Sequence, residues 1–139
     1  MQRFEVERMT PRSDAFFADK SFLPKERYCT VVTLNGNITA GHCYYKDEKT
    51  GVWGVYFKLA NRSNKNWCDD KALAECIRFP FEYLGARLIS STFTSPLVRY
   101  YIERIGAKVY SLGDGRYVGH VTAEDGLAAA KKLEAENVE

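Results

Sequence analysis

The polar segment over residues 60–70 carries the residue types that could bind an anionic group. It places asparagines, an arginine and a lysine directly before a segment of helical periodicity. Backbone N–H groups at a helix N-terminus have no partner within the helix, and the helix dipole adds partial positive charge, so such an end favours an anion. Two interpretations stay open. The segment is a phosphate-binding loop, or it is a polar connection in which Trp67 packs as an apolar lid.

Two side chains outside that segment could move a proton. His42 lies in the middle of a predicted strand, and an imidazole near its ordinary pKa can act as a base. Tyr101 lies on the apolar stripe of a predicted helix, and its neighbour Tyr100 lies about 100° away around the helix axis. A buried structural role is the alternative interpretation for both His42 and Tyr101. The sequence assigns no role to His120.

Composition limits the class of protein. The 139 residues fit one domain with one hydrophobic core, and a net charge of +2 with interspersed signs lacks the one-sided field of a dedicated nucleic-acid binder. The cysteines at positions 29, 43, 68 and 76 form no CxxC pair and have no histidine at zinc-finger spacing, so we expect free thiols and no metal site. No segment resembles a membrane span or a signal peptide, so we expect a cytoplasmic protein.

Periodicity predicts the elements that must position these residues. Strands are predicted over residues 3–9, 28–34, 37–45, 52–59, 87–94, 107–112 and 116–121. Helices are predicted over residues 15–20, over 70–84 with a kink or break at Pro80, and after Ser95 and Pro96. A C-terminal helix is predicted over 123–136, and we expect it to pack only loosely on the rest of the domain. Asn35 and Gly36 predict a two-residue hairpin turn.

The resulting order is β-α-β-β-β-α-β-α-β-β followed by a C-terminal helix. It predicts an α/β (α+β) fold with a mixed sheet of about seven strands. Residues 1–121 would form a single domain, and residues 122–139 a helical extension of it.

This order and three local motifs resemble the Gcn5-related N-acetyltransferase (GNAT) family over about residues 3–121. Ala40 and Gly41 fall where the third strand of the family often carries a small residue and a glycine. The sequence YLGARL over residues 83–88 resembles the family's transition from its third helix into its fifth strand. The sequence IERIGAKV over residues 102–109 is similar to the end of the family's fourth helix.

The resemblance implies an N-acyltransferase that moves an acetyl group from acetyl-CoA to an amine of a small molecule or protein. Family members bind the pantetheine arm on strand-four backbone and the diphosphate on a glycine-rich loop before the next helix. Here Trp67 and Asp69 occupy the two glycine positions, so the cofactor loop is divergent. The positions that would hold the cofactor are Leu59, Asn61, Arg62, Lys65, Asn66, Trp67, Cys68 and Ser95.

The family's catalytic positions are changed as well. Strand four has no acidic residue over positions 52–60, and its one charged residue is Lys58. The tyrosine of the family's fourth helix aligns with Ile102, and the asparagine before that helix aligns with Ser95. Tyr101 or His42 is therefore the candidate for handling protons.

Other hypotheses remain open at this point. The chain could be a GNAT-fold protein that no longer catalyses and serves as a binding or structural module, loosely similar to small proteins encoded by bacteriophages. Arg62, Lys65 and Trp67 could contact nucleic acid, which the small net charge disfavours. Unpaired edges of the predicted sheet would permit a homodimer.

Overall fold

The computed structural model describes residues 3–61 and 66–136, and their elements follow the predicted order. They are β1 (Phe4–Arg8), α1 (Pro11–Ala15), β2 (Tyr28–Leu34), β3 (Asn37–Lys46), β4 (Trp53–Leu59), α2 (Asp70–Arg78), a π-helical turn (Phe79–Tyr83), β5 (Leu88–Phe93), α3 (Pro96–Arg104), β6 (Lys108–Gly113), β7 (Arg116–Thr122) and α4 (Ala123–Glu136).

The strands form one seven-stranded sheet in the order β1-β2-β3-β4-β5-β7-β6. Every neighbouring pair is antiparallel except β4 and β5, which run parallel. Asn35 and Gly36 have φ values of 52° and 87°, as the tight turn between β2 and β3 requires. The predicted mixed sheet with a C-terminal helix is therefore confirmed.

β4 and β5 diverge soon after they meet. Their pairing is limited to Trp53 and Ile89, whereas β5 pairs with β7 over six residues, from Leu88 to Phe93. Farther along, the Ser91 hydroxyl donates to the Val55 carbonyl at 3.0 Å, which replaces one bond of the missing ladder. The sheet therefore carries a wedge-shaped gap at its centre.

Hydrophobic residues pack against both faces of the sheet. On one face, the apolar stripe of α2 and the π-helical turn contribute Leu73, Ile77 and Phe79 to the main core cluster, together with residues of α4. On the other face, Phe17 and Leu23 follow α1 and pack against Cys29 and Cys43. The gap between β4 and β5 is thus flanked by packed layers on both sides.

Two helices differ from their predicted form for local reasons. α1 begins at Pro11 rather than at residue 15, because Thr10 is its N-cap and forms a reciprocal capping box with Ser13. α2 ends at Arg78 and continues as a π-helical turn, in which Leu84 N–H donates to the Phe79 carbonyl at 3.3 Å. Pro80 lies inside this turn, as expected of a residue without a backbone N–H.

The C-terminal helix docks more closely than predicted. Ala130 and Leu133 of α4 are buried in the main core, and Glu134 forms an ion pair with Arg78 of α2. Gly126 is also buried, because the Phe81 ring lies directly over its Cα.

Substituting Gly126→Ala should reduce the free energy of unfolding by about 1–2 kcal/mol. A Cβ at this position would lie 2.3 Å from the buried Phe81 ring, and this clash should exceed the gain in helix propensity of about 1 kcal/mol. Urea denaturation would measure the change. Ala128→Gly, on the exposed side of α4, isolates the propensity effect, and a stabilised Gly126→Ala protein would show that Phe81 can move aside.

Candidate functional site

A largely apolar cavity of about 590 Å³ lies on the helical face of the gap between β4 and β5. The volume of this cavity and its mainly apolar lining are typical of a site that binds a small molecule. Its apolar walls include Val55, Phe57, Ile77, Phe81, Ile89, Phe93, Val98, Ile102, Ile105 and Val121. Its polar lining includes His42, Ser91, Thr94, Ser95 and Tyr101, and none of the described residues that line it is acidic.

His42 and Tyr101 meet at the wall of this cavity. β3 places His42 beside Phe57 of β4, and α3 directs Tyr101 towards the sheet. The His42 Nε2 lies 3.4 Å from the Tyr101 hydroxyl, whereas no described residue is a hydrogen-bond partner of the buried Nδ1. The two residues named from the sequence as proton-handling candidates are therefore one pair.

Burial determines the protonation of both groups. His42 is 5% exposed, and loss of hydration lowers its pKa to about 4, so the imidazole is neutral at pH 7. Burial also raises the pKa of Tyr101 well above its ordinary value, so its hydroxyl keeps its proton. The pair thus combines a neutral imidazole with an un-ionised phenol in an apolar wall.

Trp67 lies on the far side of this pair from the cavity. Its indole contacts the rings of His42, Phe57 and Tyr101 at centroid distances of 5.9, 4.9 and 5.4 Å. Its carbonyl accepts a hydrogen bond of 2.7 Å from the Thr39 hydroxyl. The indole contacts three rings that line the cavity but does not line it itself, so Trp67 does not fill the cavity.

The N-terminus of α2 is already occupied by a negative group. The Asp69 carboxylate accepts from Ala72 N–H at 2.8 Å and is the N-cap of the helix. The neighbouring thiol of Cys68 is half-buried, and burial raises its pKa to about 12, so it is neutral. An added diphosphate at this helix end would meet a carboxylate at close range.

Of the remaining predicted cofactor positions that the structure describes, Ser95 lines the cavity, and Leu59, Asn61 and Asn66 do not. Leu59 ends β4 and pairs with Ala40, Asn61 and Asn66 are exposed, and Ser95 lines the cavity at the start of α3. Arg62 and Lys65 lie outside the described residues.

Lys58, the charged residue of β4, is directed to the opposite face of the sheet. Its ammonium donates to Asp19 at 2.9 Å and to the Phe16 carbonyl at 2.6 Å. It is therefore held in a surface ion pair rather than in the cleft.

Sequence reasoning missed two residues of the site. Phe57 stacks on Tyr101 at 5.7 Å and completes the aromatic group, and Ser91 bridges the gap to Val55. Alternation along β4 already places Phe57 on the face of Val55, but it does not identify that face as a cleft. The hydroxyl run Ser90 to Thr92 in an otherwise apolar strand was the available signal for Ser91.

Comparison with known proteins establishes the fold. The chain matches FdhC, a nucleotide-linked sugar GNAT, at a TM-score of 0.65 and 11% identity, covering 96% of this chain and 92% of that one. It matches mutant forms of the spermidine/spermine N-acetyltransferase SpeG of Vibrio cholerae at a TM-score of 0.65 and 9% identity, covering 91% of this chain and 98% of that one. It matches the aminoglycoside acetyltransferase AAC(6')-Ib, in complex with coenzyme A and kanamycin, at a TM-score of 0.60 and 15% identity. This match covers 88% of this chain and 96% of that one.

These likenesses are structural. No family model matches the sequence, and no curated protein matches it either. The chain has the GNAT fold, so the resemblance predicted from the sequence is confirmed at the level of the fold. No helix in the described ranges combines the length and the hydropathy that a membrane span needs.

Proposed function

We propose that this protein is an acyl-CoA-dependent N-acyltransferase that moves an acetyl group from acetyl-CoA to an amine. The observation that carries the proposal is the pair of His42 and Tyr101 in the wall of an apolar cleft between diverging β4 and β5. Solved structures of the same fold include amine acetyltransferases, and one of them is a complex with coenzyme A. Free cysteines suit a reducing compartment such as the cytoplasm.

The cleft fits one half of the cofactor better than the other. Beyond Trp53, β4 has no Cα partner in β5, so backbone from Val55 to Leu59, with Asn61, would hold the pantetheine arm. Asn66, Cys68 and Ser95 would flank it, and Arg62 and Lys65 would supply positive charge to the diphosphate. The Asp69 carboxylate carries the same sign of charge as the diphosphate and repels it, so diphosphate binding would be weak.

Acetyl-CoA, when bound, supplies an acetyl group activated as a thioester, and CoA is the leaving group. Because His42 is neutral at pH 7, it can accept the proton that the amine must lose on attack, and its lowered pKa means that it would pass this proton on to the departing sulfur rather than keep it. Tyr101 can donate a hydrogen bond to the departing sulfur. Its raised pKa means that it stabilises the developing thiolate without becoming ionised itself.

A second candidate function is a non-catalytic binding or structural module, of the kind suggested by the loose sequence similarity to small bacteriophage-encoded proteins. The observation that favours it is the start of α2, where Trp67 packs on three rings and the Asp69 carboxylate caps the helix. Such a protein would keep the fold and the cavity without holding a cofactor diphosphate.

Isothermal titration with acetyl-CoA and free CoA, together with thermal shift, tests the proposal, because a ligand of the native state raises its apparent stability. We expect weak binding to the natural chain and about tenfold tighter binding after the double change Trp67→Gly and Asp69→Gly, equivalent to about 1.4 kcal/mol. Removing the indole frees the space that it fills beside Phe57, and removing the carboxylate removes its repulsion of the diphosphate.

Asp69→Asn is the matched control, since asparagine retains an N-cap acceptor but carries no charge. Tighter binding by this single variant would assign the effect to electrostatics. If neither protein binds either ligand at millimolar concentration, the acyltransferase proposal fails and the non-catalytic candidate stands.

A further inference from the structure

Two cysteines face each other across the hairpin of β2 and β3, and we call them the hairpin dithiol. Cys29 and Cys43 are register partners, both thiols are free, and the two residues are 2% and 0% exposed. They pack under Phe17 and Leu23. Because side chains alternate along a strand, Cys43 lies on the face opposite to that of its neighbour His42. The dithiol is therefore separate from the cleft.

The backbone pattern brings the two cysteines close together. Met9 N–H donates to the Cys29 carbonyl at 2.9 Å, so the polar backbone groups of Cys29 point towards β1 and away from β3. Cys29 and Cys43 are thus a non-hydrogen-bonded pair of the β2–β3 ladder. The Cα atoms of such a pair lie about 4.5 Å apart, within the range of about 4.4–6.8 Å found in disulfides. The two sulfurs can therefore form a bond without a change of register.

The two thiols differ in acidity. A hydrogen bond from the Cys43 thiol lowers the pKa of Cys29, and the same bond raises the pKa of Cys43. Burial and the Asp14 carboxylate oppose the change at Cys29, whereas the Arg27 guanidinium supports it, and the pKa of Cys29 remains lowered. Cys29 is therefore the sulfur that loses its proton first, and Cys43 is the second thiol to react.

Cys29 also lies next to a polar group that reaches solvent. Its thiol donates to the Asp14 Oδ1 at 3.9 Å, and the Asp14 side chain is 60% exposed. Arg27 Nε donates to the same carboxylate oxygen at 2.9 Å, which holds the ion pair over the thiol. A small reagent that enters beside this ion pair meets Cys29 first.

The other two cysteines provide an internal comparison. Cys68 and Cys76 lie on the helical face of the sheet, where they pack with Val32 and Ala72. Burial raises the pKa of Cys68 to about 12 and raises the pKa of Cys76 as well. Both are neutral thiols at pH 7, so we expect them to react slowly with an oxidant.

We propose that the hairpin dithiol is a redox-active site, which a hydroperoxide converts into a disulfide between Cys29 and Cys43. The Cys29 thiolate attacks the outer peroxide oxygen and becomes a sulfenic acid, and the proton released from Cys29 goes to the departing oxygen. The Cys43 sulfur then attacks the Cys29 sulfur and displaces hydroxide, which leaves with the Cys43 proton as water. The two thiols lose two electrons, and the peroxide gains them as its O–O bond breaks. A reducing dithiol reverses the change by exchange.

Peptide mapping of the full natural chain after brief treatment with hydrogen peroxide tests the proposal. The protein is denatured, its remaining thiols are trapped with N-ethylmaleimide, and trypsin releases residues 28–46 as one peptide that contains both Cys29 and Cys43. Cys68 and Cys76 fall in the separate peptides 66–71 and 72–78.

We expect the 28–46 peptide to lose two hydrogen atoms and to take up no maleimide, while the other two peptides each take up one. The hairpin dithiol should be consumed at least about tenfold faster than Cys68 or Cys76, because the pKa of Cys29 is lowered and theirs are raised. Dithiothreitol before trapping should restore both maleimides. Two maleimides on the 28–46 peptide after peroxide, or equal oxidation of all four cysteines, overturns the inference.

A single substitution separates the two steps. Cys43→Ser removes the second thiol, so peroxide should leave a sulfenic acid at Cys29 that dimedone captures. Cys68→Ser is the matched control and should form the disulfide at the rate of the natural chain. Capture by dimedone at Cys68 or Cys76 instead of Cys29 contradicts the assignment. The result on the natural chain decides the proposal even if Cys43→Ser does not fold, and it does not depend on whether acetyl-CoA binds.

Discussion

Lowering the pH from 7 to 5 is expected to reduce the free energy of unfolding by about 2 kcal/mol through one side chain, His42. This imidazole is buried among the rings of Phe57, Trp67 and Tyr44 and lies beside no described carboxylate that could stabilise its charged form. Its protonation is therefore opposed in the folded chain and free in the unfolded chain.

The direction follows from the two pKa values. The unfolded imidazole titrates near 6.5 and the folded one near 4. Above pH 6.5 both states are neutral, so the contribution of His42 is fully retained. Between pH 6.5 and 4 only the unfolded chain binds the proton, so stability falls, and below pH 4 the loss levels off at about 3 kcal/mol.

Urea denaturation at pH 7, 6 and 5 measures this loss, and a His42→Gln variant provides the control. The variant should lose most of the dependence over this range. Glu7 and Asp19 have lowered pKa values because of their hydrogen bonds to Arg12 and Lys58, but their losses begin only near the ordinary values of 4.5 and 3.8. An equal pH dependence in the variant would show that His42 is hydrated in the folded protein.

The strands were predictable because their signals are local. The β-branched run of β2, the Asn35–Gly36 turn and the alternation of β3 depend on residues that lie close together in the chain. α1 was misplaced because Thr10 and Pro11, which directly follow the predicted first strand, form the N-cap and the first helical position. α4 packs tightly because Gly126, which has no Cβ, leaves room for the Phe81 ring. These residues lie 45 positions apart in the chain, so local patterns do not show their contact.

The site was predictable only in part, because it depends on orientation across the sheet. Helical spacing correctly placed Tyr101 on an apolar stripe, but it could not show that this stripe faces His42. Trp67 was open to two interpretations, since a sequence does not tell whether an indole in a loop turns inward. A second cavity is lined by Phe22, Tyr45 and Tyr56, which come from three separate segments, so no short stretch of the sequence could indicate it.

Substituting Tyr101→Phe is expected to reduce kcat for acetyl transfer about 100-fold, with KM for acetyl-CoA little changed. The change removes only the hydroxyl that lies 3.4 Å from His42 and leaves the ring packed on Phe57 and Trp67. A donor that stabilises the departing sulfur acts on the transition state and contributes little to binding of the ground state. Steady-state kinetics with acetyl-CoA and a panel of primary amines would measure both parameters.

Tyr100→Phe is the matched control for this experiment. Tyr100 is the preceding residue of α3, but it lies about 100° around the helix and is 70% exposed, so the loss of its hydroxyl should leave kcat unchanged. A full rate for Tyr101→Phe would return Tyr101 to the structural role that its apolar stripe first suggested. A loss of rate confined to Tyr101→Phe, in a protein of unchanged thermal stability, would assign the stabilisation of the departing sulfur to that hydroxyl. The hydroxyl would then perform the role that family members give to a tyrosine at the position of Ile102.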